Sequence, residues 1–156
     1  MDWKKMFETQ RAYYQGGATQ SYEARRRALD RLLQGRAEHE DKLLKALQQD
    51  LGKAPFEGYM SEIGMVREEL HWHRRHLKKM MRPRRVSTPL AQFPSRSFRS
   101  PHPRGLVLVM APWNYPVQLS LSPLVGAVAA GNCVVLKPSN DAPHTAQAMA
   151  DLLRQC

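Results

Sequence analysis

Leu106-Val107-Leu108-Val109-Met110-Ala111-Pro112-Trp113-Asn114-Tyr115-Pro116 opens the stretch on which the fold turns, and Cys133-Val134-Val135-Leu136-Lys137-Pro138-Ser139 closes it. Each begins with a short unbroken apolar run of the kind that forms a parallel strand buried on both faces. Between them Pro116 to Ala130 reads as a helix, apolar almost all round, with Gly126, Ala127, Ala129 and Ala130 small enough for close packing between layers. Gly131-Asn132 then marks the turn into the second strand. The 32 residues from Leu106 to Lys137 are about the ~30 that one strand–helix–strand crossover needs. A right-handed crossover is expected. A last helix follows, with Ser139 or Asp141 placed to cap it and Ala146, Met149, Ala150 and Leu153 as its apolar stripe.

Upstream, residues 1–81 read as helices. The first runs from Trp3 to Tyr14 and ends at Gly16-Gly17. Ser21 is placed to cap a longer region carrying Leu29, Leu32, Leu33, Leu43, Leu44, Leu47 and Leu51 at helical spacings. Gly35 is positioned to split that region, and Gly52 and Pro55 to end it. A third helix sets Ile63, Val66, Leu70, Leu77 and Met80 or Met81 on one stripe until Pro83 stops it. Residues 82–104 hold five prolines among Val86, Leu90, Phe93 and Phe98, which excludes a helix and allows extended edge strands. We read them as an arm passing from one layer to another; a disordered linker is the plainer alternative, set against that apolar content. The expected fold is α/β: N-terminal helices (1–81), the arm (82–104), and the first βαβα of a Rossmann-like parallel sheet (105–156).

The chain has 156 residues, 42% of them hydrophobic and 24% charged, as in an ordinary soluble domain. The longest apolar stretch, Val117 to Val134, is interrupted by polar residues, glycine and proline, so no membrane span is expected. The N-terminus has no apolar leader, and Cys133 and Cys156 make no disulfide framework, so a reducing cytoplasm is the default expectation. The net charge of +10 raises nucleic acid as a partner. The densest basic run, Arg67 to Arg85, lacks a nucleic-acid module, and we read it as a solvated helix face. His71, His73 and His76 invite a metal reading, but only His73 and His76 share a face and no cysteine or carboxylate completes a zinc set. No metal site is expected.

In open α/β sheets ligands bind beyond the carboxyl ends of the strands, and two unusual clusters sit there. Pro112 ends the first strand, and Pro116 suits a first helical turn. Asn114 is thereby held between two prolines as an amide donor where a substrate would lie, able to stabilise an oxyanion. The alternative is an asparagine that hydrogen-bonds its own turn. Lys137, a lone cation after an apolar strand, could reach a nucleotide's ribose hydroxyls or phosphate, or be a plain surface lysine. Neither strand is followed by the Gly-x-Gly-x-x-Gly turn of ordinary dinucleotide sites.

Taken together, Pro112-Trp113-Asn114-Tyr115-Pro116, Gly126-Ala127-Val128-Ala129-Ala130-Gly131-Asn132 and Lys137-Pro138-Ser139 closely resemble the aldehyde dehydrogenase superfamily. The resemblance is greatest to its dimeric class-3 or fatty-aldehyde branch, and extends back through Asp50-Leu51-Gly52-Lys53, Glu57 to Glu69, and Thr88 to Pro94. It implies an enzyme that oxidises an aldehyde to a carboxylic acid by thiolate attack, hydride transfer to NAD or NADP, and thioester hydrolysis. By that resemblance Asn114 donates its amide to the oxyanion, Lys137 binds the adenosine ribose, and Pro112 and Trp113 line the nicotinamide side of the cleft. The arm matches the start of the family's bridging, or oligomerisation, strands, and a homodimer is the expected assembly of a complete enzyme.

Two departures carry consequences. Where many relatives have glutamate three residues after the lysine, this chain has Asn140, which does not repel a 2′-phosphate; tolerance of NADP is the expectation. The family's nucleophilic cysteine and general-base glutamate have no counterpart in residues 1–156: the catalytic domain is absent, and this chain alone is expected to be inactive. Two other readings stand beside this one. A related reductase of acyl thioesters or acyl phosphates is disfavoured by the Trp113-Asn114 pair. A non-catalytic module binding nucleotide, nucleic acid or a protein partner would be revealed by salt-resistant binding in a gel shift.

Overall fold

The computed structural model describes residues 2–156. Helix α1 spans Trp3–Gln15 and starts where the Asp2 carboxylate accepts from the Lys5 N–H. Helix α2 spans Tyr22–Glu38, with the Ser21 hydroxyl accepting from the Ala24 N–H as its N-cap. The long helical region breaks at His39, not at Gly35, and resumes as α3, Glu40–Leu51. Gly35 serves packing instead: a Cβ there would lie 2.7 Å from the Cys156 sulfur, so the bare backbone lets the chain's last helix approach α2. Gly52, at φ 67°, ends α3 in the left-handed conformation that glycine adopts without strain.

Helix α4, Pro55–Gly58, runs through a widened π turn, Tyr59–Ile63, into α5, Gly64–Met80. Ile63, Val66, Leu70 and Leu77 are buried as the spacing predicts, and Met80 and Met81 are half-buried. No local sequence pattern announces the π turn. Strands β1 (Arg84–Val86) and β2 (Ser97–Arg99) form an antiparallel hairpin, with one 3₁₀ turn at Leu90–Gln92 in its connection. Thr88 Oγ1 accepts from the Ser97 N–H at 3.0 Å, closing the base of that connection.

Strands β3 (Leu106–Met110) and β4 (Cys133–Lys137) pair parallel, Leu106 opposite Cys133 and Met110 opposite Lys137. Helix α6, Pro116–Ala129, makes the crossover, and α7, Pro143–Gln155, follows β4. Asn132 stitches the unit together. Its Oδ1 accepts from the Gly105 N–H at 2.9 Å and its Nδ2 donates to the Ala127 carbonyl at 3.0 Å. The core lies among α2, α3, α5, α6 and α7, where Leu29, Leu43, Leu47, Ile63, Leu70, Leu77, Val117 and Met149 exclude water.

Three local expectations are corrected. The sheet is not buried on both faces: Val109 is, but Leu108 and Met110 are 59% and 70% exposed. The core covers one side of the sheet, and Tyr14 of α1 packs at Gly105, at the sheet's starting edge. Neither Ser139 nor Asp141 caps α7; they bond each other, because the helix begins two residues later at Pro143. The cap comes from α3, where Asp50 accepts from the His144 and Thr145 N–H groups at 3.2 and 2.7 Å. With α7 so held, Thr145, Ala148, Met149 and Leu152 are buried, while Ala146, Ala150 and Leu153 are half-buried along an open cleft of about 1280 Å³.

Candidate functional site

Because β3 and β4 are parallel and paired to their last residues, the segments after them leave the sheet side by side. The Ala111 N–H donates to the Lys137 carbonyl at 3.1 Å, so the two loops are joined at the root. Lys137 thus stands at, and Asn114 beyond, the same end of the sheet. Pro112, Trp113, Asn114 and Tyr115 are exposed, Trp113 by 54%, and Pro116 is buried where α6 starts. The Asn114 carboxamide makes no hydrogen bond among the described residues, and Tyr115, not Asn114, occupies the N-cap position of α6. The amide is therefore not consumed by its own turn and remains a donor to whatever lies above the loop.

Lys137 and Asn140 are both exposed, and neither side chain is engaged in a hydrogen bond or ion pair among the described residues. Both border the open cleft beside β4 and α7; Pro112, Trp113 and Asn114 do not line that cleft and belong to the rim after β3. The five residues singled out in the sequence thus form two adjacent clusters at one end of a two-stranded sheet.

Behind the Asn114 loop lies a group that sequence reasoning gave no role. Lys53 Nζ donates to Glu62 Oε1 at 2.6 Å and to the Asn114 carbonyl at 3.3 Å, and sits 4.1 Å from the centroid of the Tyr115 ring. Glu62 is fully buried, and its other oxygen accepts from the N–H groups of Val117 and Gln118 at 2.7 and 3.3 Å. A signal was present: Glu62 falls on the apolar stripe of its helix, four residues before Val66, where a carboxylate needs a partner.

The two thiols are poor nucleophile candidates. Cys133 is buried in β4 and Cys156 closes α7 against the Arg31 and Leu152 carbonyls; burial raises the pKa of both above the usual thiol value. A nucleophile needs the opposite shift. Among the described residues no helix is long and apolar enough to cross a membrane. His76 stacks on Trp72 with ring centroids 4.5 Å apart, and His73 Nδ1 lies 3.1 Å from the Glu69 carbonyl.

The aldehyde dehydrogenase family model matches residues 1–156, and the chain belongs to that family. Its resemblance is to the class-3 branch. It is 47% identical over 132 residues to mouse aldehyde dehydrogenase family 3 member B2, covering 85% of this chain and 27% of the relative. The solved substrate-bound AldH of Staphylococcus aureus superposes with a TM-score of 0.95 at 36% identity, over 97% of this chain and 33% of that one. Succinic semialdehyde dehydrogenase of Streptococcus pyogenes, solved with NADP+, shares the fold at a TM-score of 0.84 and 18% identity, over 97% of this chain and 33% of its own. The chain spans about a third of the length of the relatives it matches.

Proposed function

We propose that residues 1–156 supply the oxyanion donor and part of the cofactor cleft of an NAD(P)-dependent dehydrogenase that oxidises an aldehyde to a carboxylic acid through a cysteine thiohemiacetal. The observation that carries this reading is the free Asn114 carboxamide standing beside the Lys137 loop beyond one end of a parallel sheet. As thiolate adds to an aldehyde, the carbonyl oxygen gains charge, and a fixed amide donor lowers the barrier most where water is excluded. The thiolate comes from outside residues 1–156, since burial disqualifies Cys133 and Cys156, and this chain by itself does not turn over aldehyde.

The residues present suit a nicotinamide dinucleotide. Lys137 and Asn140 offer unengaged polar groups to its ribose, and Pro112 with Trp113 offers an exposed apolar wall. When bound, that cofactor accepts the hydride. Asn140 presents an amide where a carboxylate would repel a 2′-phosphate, so NADP is accepted as well as NAD. The hairpin β1–β2 belongs to the bridging strands and is covered by a like subunit, which accounts for Leu90 and Phe93 at 88% and 83% exposure. Nine of the ten net positive charges fall within residues 1–100, the helices and the hairpin, and free thiols suit a cytoplasmic protein.

The test uses the complete dehydrogenase containing these residues. Asn114→Ala lowers kcat for aldehyde oxidation by about a hundredfold to a thousandfold and leaves cofactor affinity within a factor of about three, under ~0.7 kcal/mol. In the same assay, unsubstituted enzyme discriminates between NAD and NADP by less than about a hundredfold, ~2.8 kcal/mol. Undiminished turnover by Asn114→Ala refutes the role given to that amide.

A further inference from the structure

The Lys53–Glu62 pair is placed in a way that core stability alone does not explain. Burying two opposite charges costs desolvation, and a well-packed apolar pair in their place is often as stable or more so. Here the lysine side chain is 10% exposed and the glutamate not at all. Between them they hold the main chain at Asn114 and in the helix turn that follows it. Lys53 binds the Asn114 carbonyl itself, and Glu62 binds the N–H groups of Val117 and Gln118 in the first turn of α6.

Those two N–H groups are ones that a helix start leaves without intrahelical partners. Ordinarily a Ser, Thr, Asp or Asn at the N-cap would take them. In this chain Tyr115 stands at the N-cap and makes no side-chain cap bond. The acceptor arrives instead from 55 residues upstream. Glu62 lies within the widened turn Tyr59–Ile63, which is closed by Gly64: a Cβ there would lie 2.9 Å from the Tyr59 carbonyl oxygen. Such single π turns are often found at functional sites. A local cap would have drawn the loop's own side chains into the helix start. A remote cap leaves the Asn114 carboxamide free while clamping the backbone that carries it.

We propose that Lys53 and Glu62 are positioning residues for Asn114, fixing the loop backbone so that its amide meets the developing oxyanion at hydrogen-bond distance. Displacement by about 1 Å of a group that a reaction needs can cost on the order of a hundredfold in rate. The inference rests on the proposed role of Asn114, and the test separates the two.

In the complete dehydrogenase, Lys53→Met and Glu62→Gln are each combined with Asn114→Ala. Lys53→Met lowers kcat by about tenfold to a hundredfold with the aldehyde KM changed less than about threefold. Added to Asn114→Ala, it changes kcat by less than about twofold, because the group it aims is already gone. Glu62→Gln, which keeps shape and one acceptor for the Val117 N–H, follows the same pattern with a smaller loss and serves if Lys53→Met does not fold. Lys53→Arg, retaining the charge, recovers part of the rate. Equal losses of kcat in the presence and absence of the Asn114 amide overturn the proposal, as does a Lys53→Met or Glu62→Gln enzyme with unchanged kcat while Asn114→Ala is impaired. Full activity of Asn114→Ala overturns the functional reading and this inference together.

Discussion

Two regions of the molecule handle their apolar side chains in opposite ways. Among the helices, Leu29, Leu43, Leu47, Ile63 and Leu77 have no exposure at all. On the sheet and hairpin, Leu108, Met110, Leu90, Phe93 and Phe98 are each more than half exposed. The helices are joined by long-range polar contacts that finish their ends, such as Asp50 on the first turn of α7 and Glu62 on that of α6. The sheet has such stitches only at its starting edge, where Asn132 accepts from the Gly105 N–H, among the described residues; it has two strands, with one face of β3 open and a broad cleft beside β4. Exposed large apolar side chains gathered on such elements suit surfaces that a partner covers. The contrast locates where the rest of a dehydrogenase and a second subunit would make contact under the proposed function.

Paired substitutions probe that contrast. Leu70→Ala, inside the helical core, destabilises by about 2–5 kcal/mol wherever it is measured, in residues 1–156 alone or in the complete protein, as read from denaturant unfolding. Leu108→Ser separates the contexts. It changes the stability of residues 1–156 by no more than about 0.5 kcal/mol, but costs about 1.5–3 kcal/mol in the complete protein if that face is covered there. Equal effects in the two contexts would mean that the open face has no partner. A smaller effect tests the finished ends of the helices. Asp50→Ala removes the only side-chain acceptor on the first turn of α7 among the described residues and lowers stability by about 1 kcal/mol, with hydrogen exchange accelerated at His144 and Thr145 before α1 is affected.

What the sequence disclosed follows the same division. β3 and β4 were readable because five and four apolar residues in a row, ended by Pro112 and by Lys137-Pro138, are signals contained within a few positions. The Ser21 cap and the Gly52 terminus were readable for the same reason. The break at His39 escaped because Gly35 offered the stronger local signal, while its actual use depends on Cys156 at the far end of the chain. The Asp50 cap joins residues 95 apart, and the Lys53 contact to Asn114 spans 61. No local pattern encodes such pairings. The same limit applied at the candidate site: Pro112, Trp113, Asn114, Lys137 and Asn140 stood out by their position after strands, whereas the charges supporting the loop emerged only when the fold brought Lys53 and Glu62 behind it.

The account as a whole depends on Asn114 and Lys137 bordering one cofactor trough. The most direct measurement is a crystal structure of the complete dehydrogenase with NADP+ bound. The account predicts the Lys137 ammonium within about 3.2 Å of an adenosine ribose or 2′-phosphate oxygen, the nicotinamide against Pro112 and Trp113, and the Asn114 amide directed at the site of the reacting carbonyl. A cofactor seated away from the carboxyl ends of β3 and β4, with Lys137 in solvent, would contradict it.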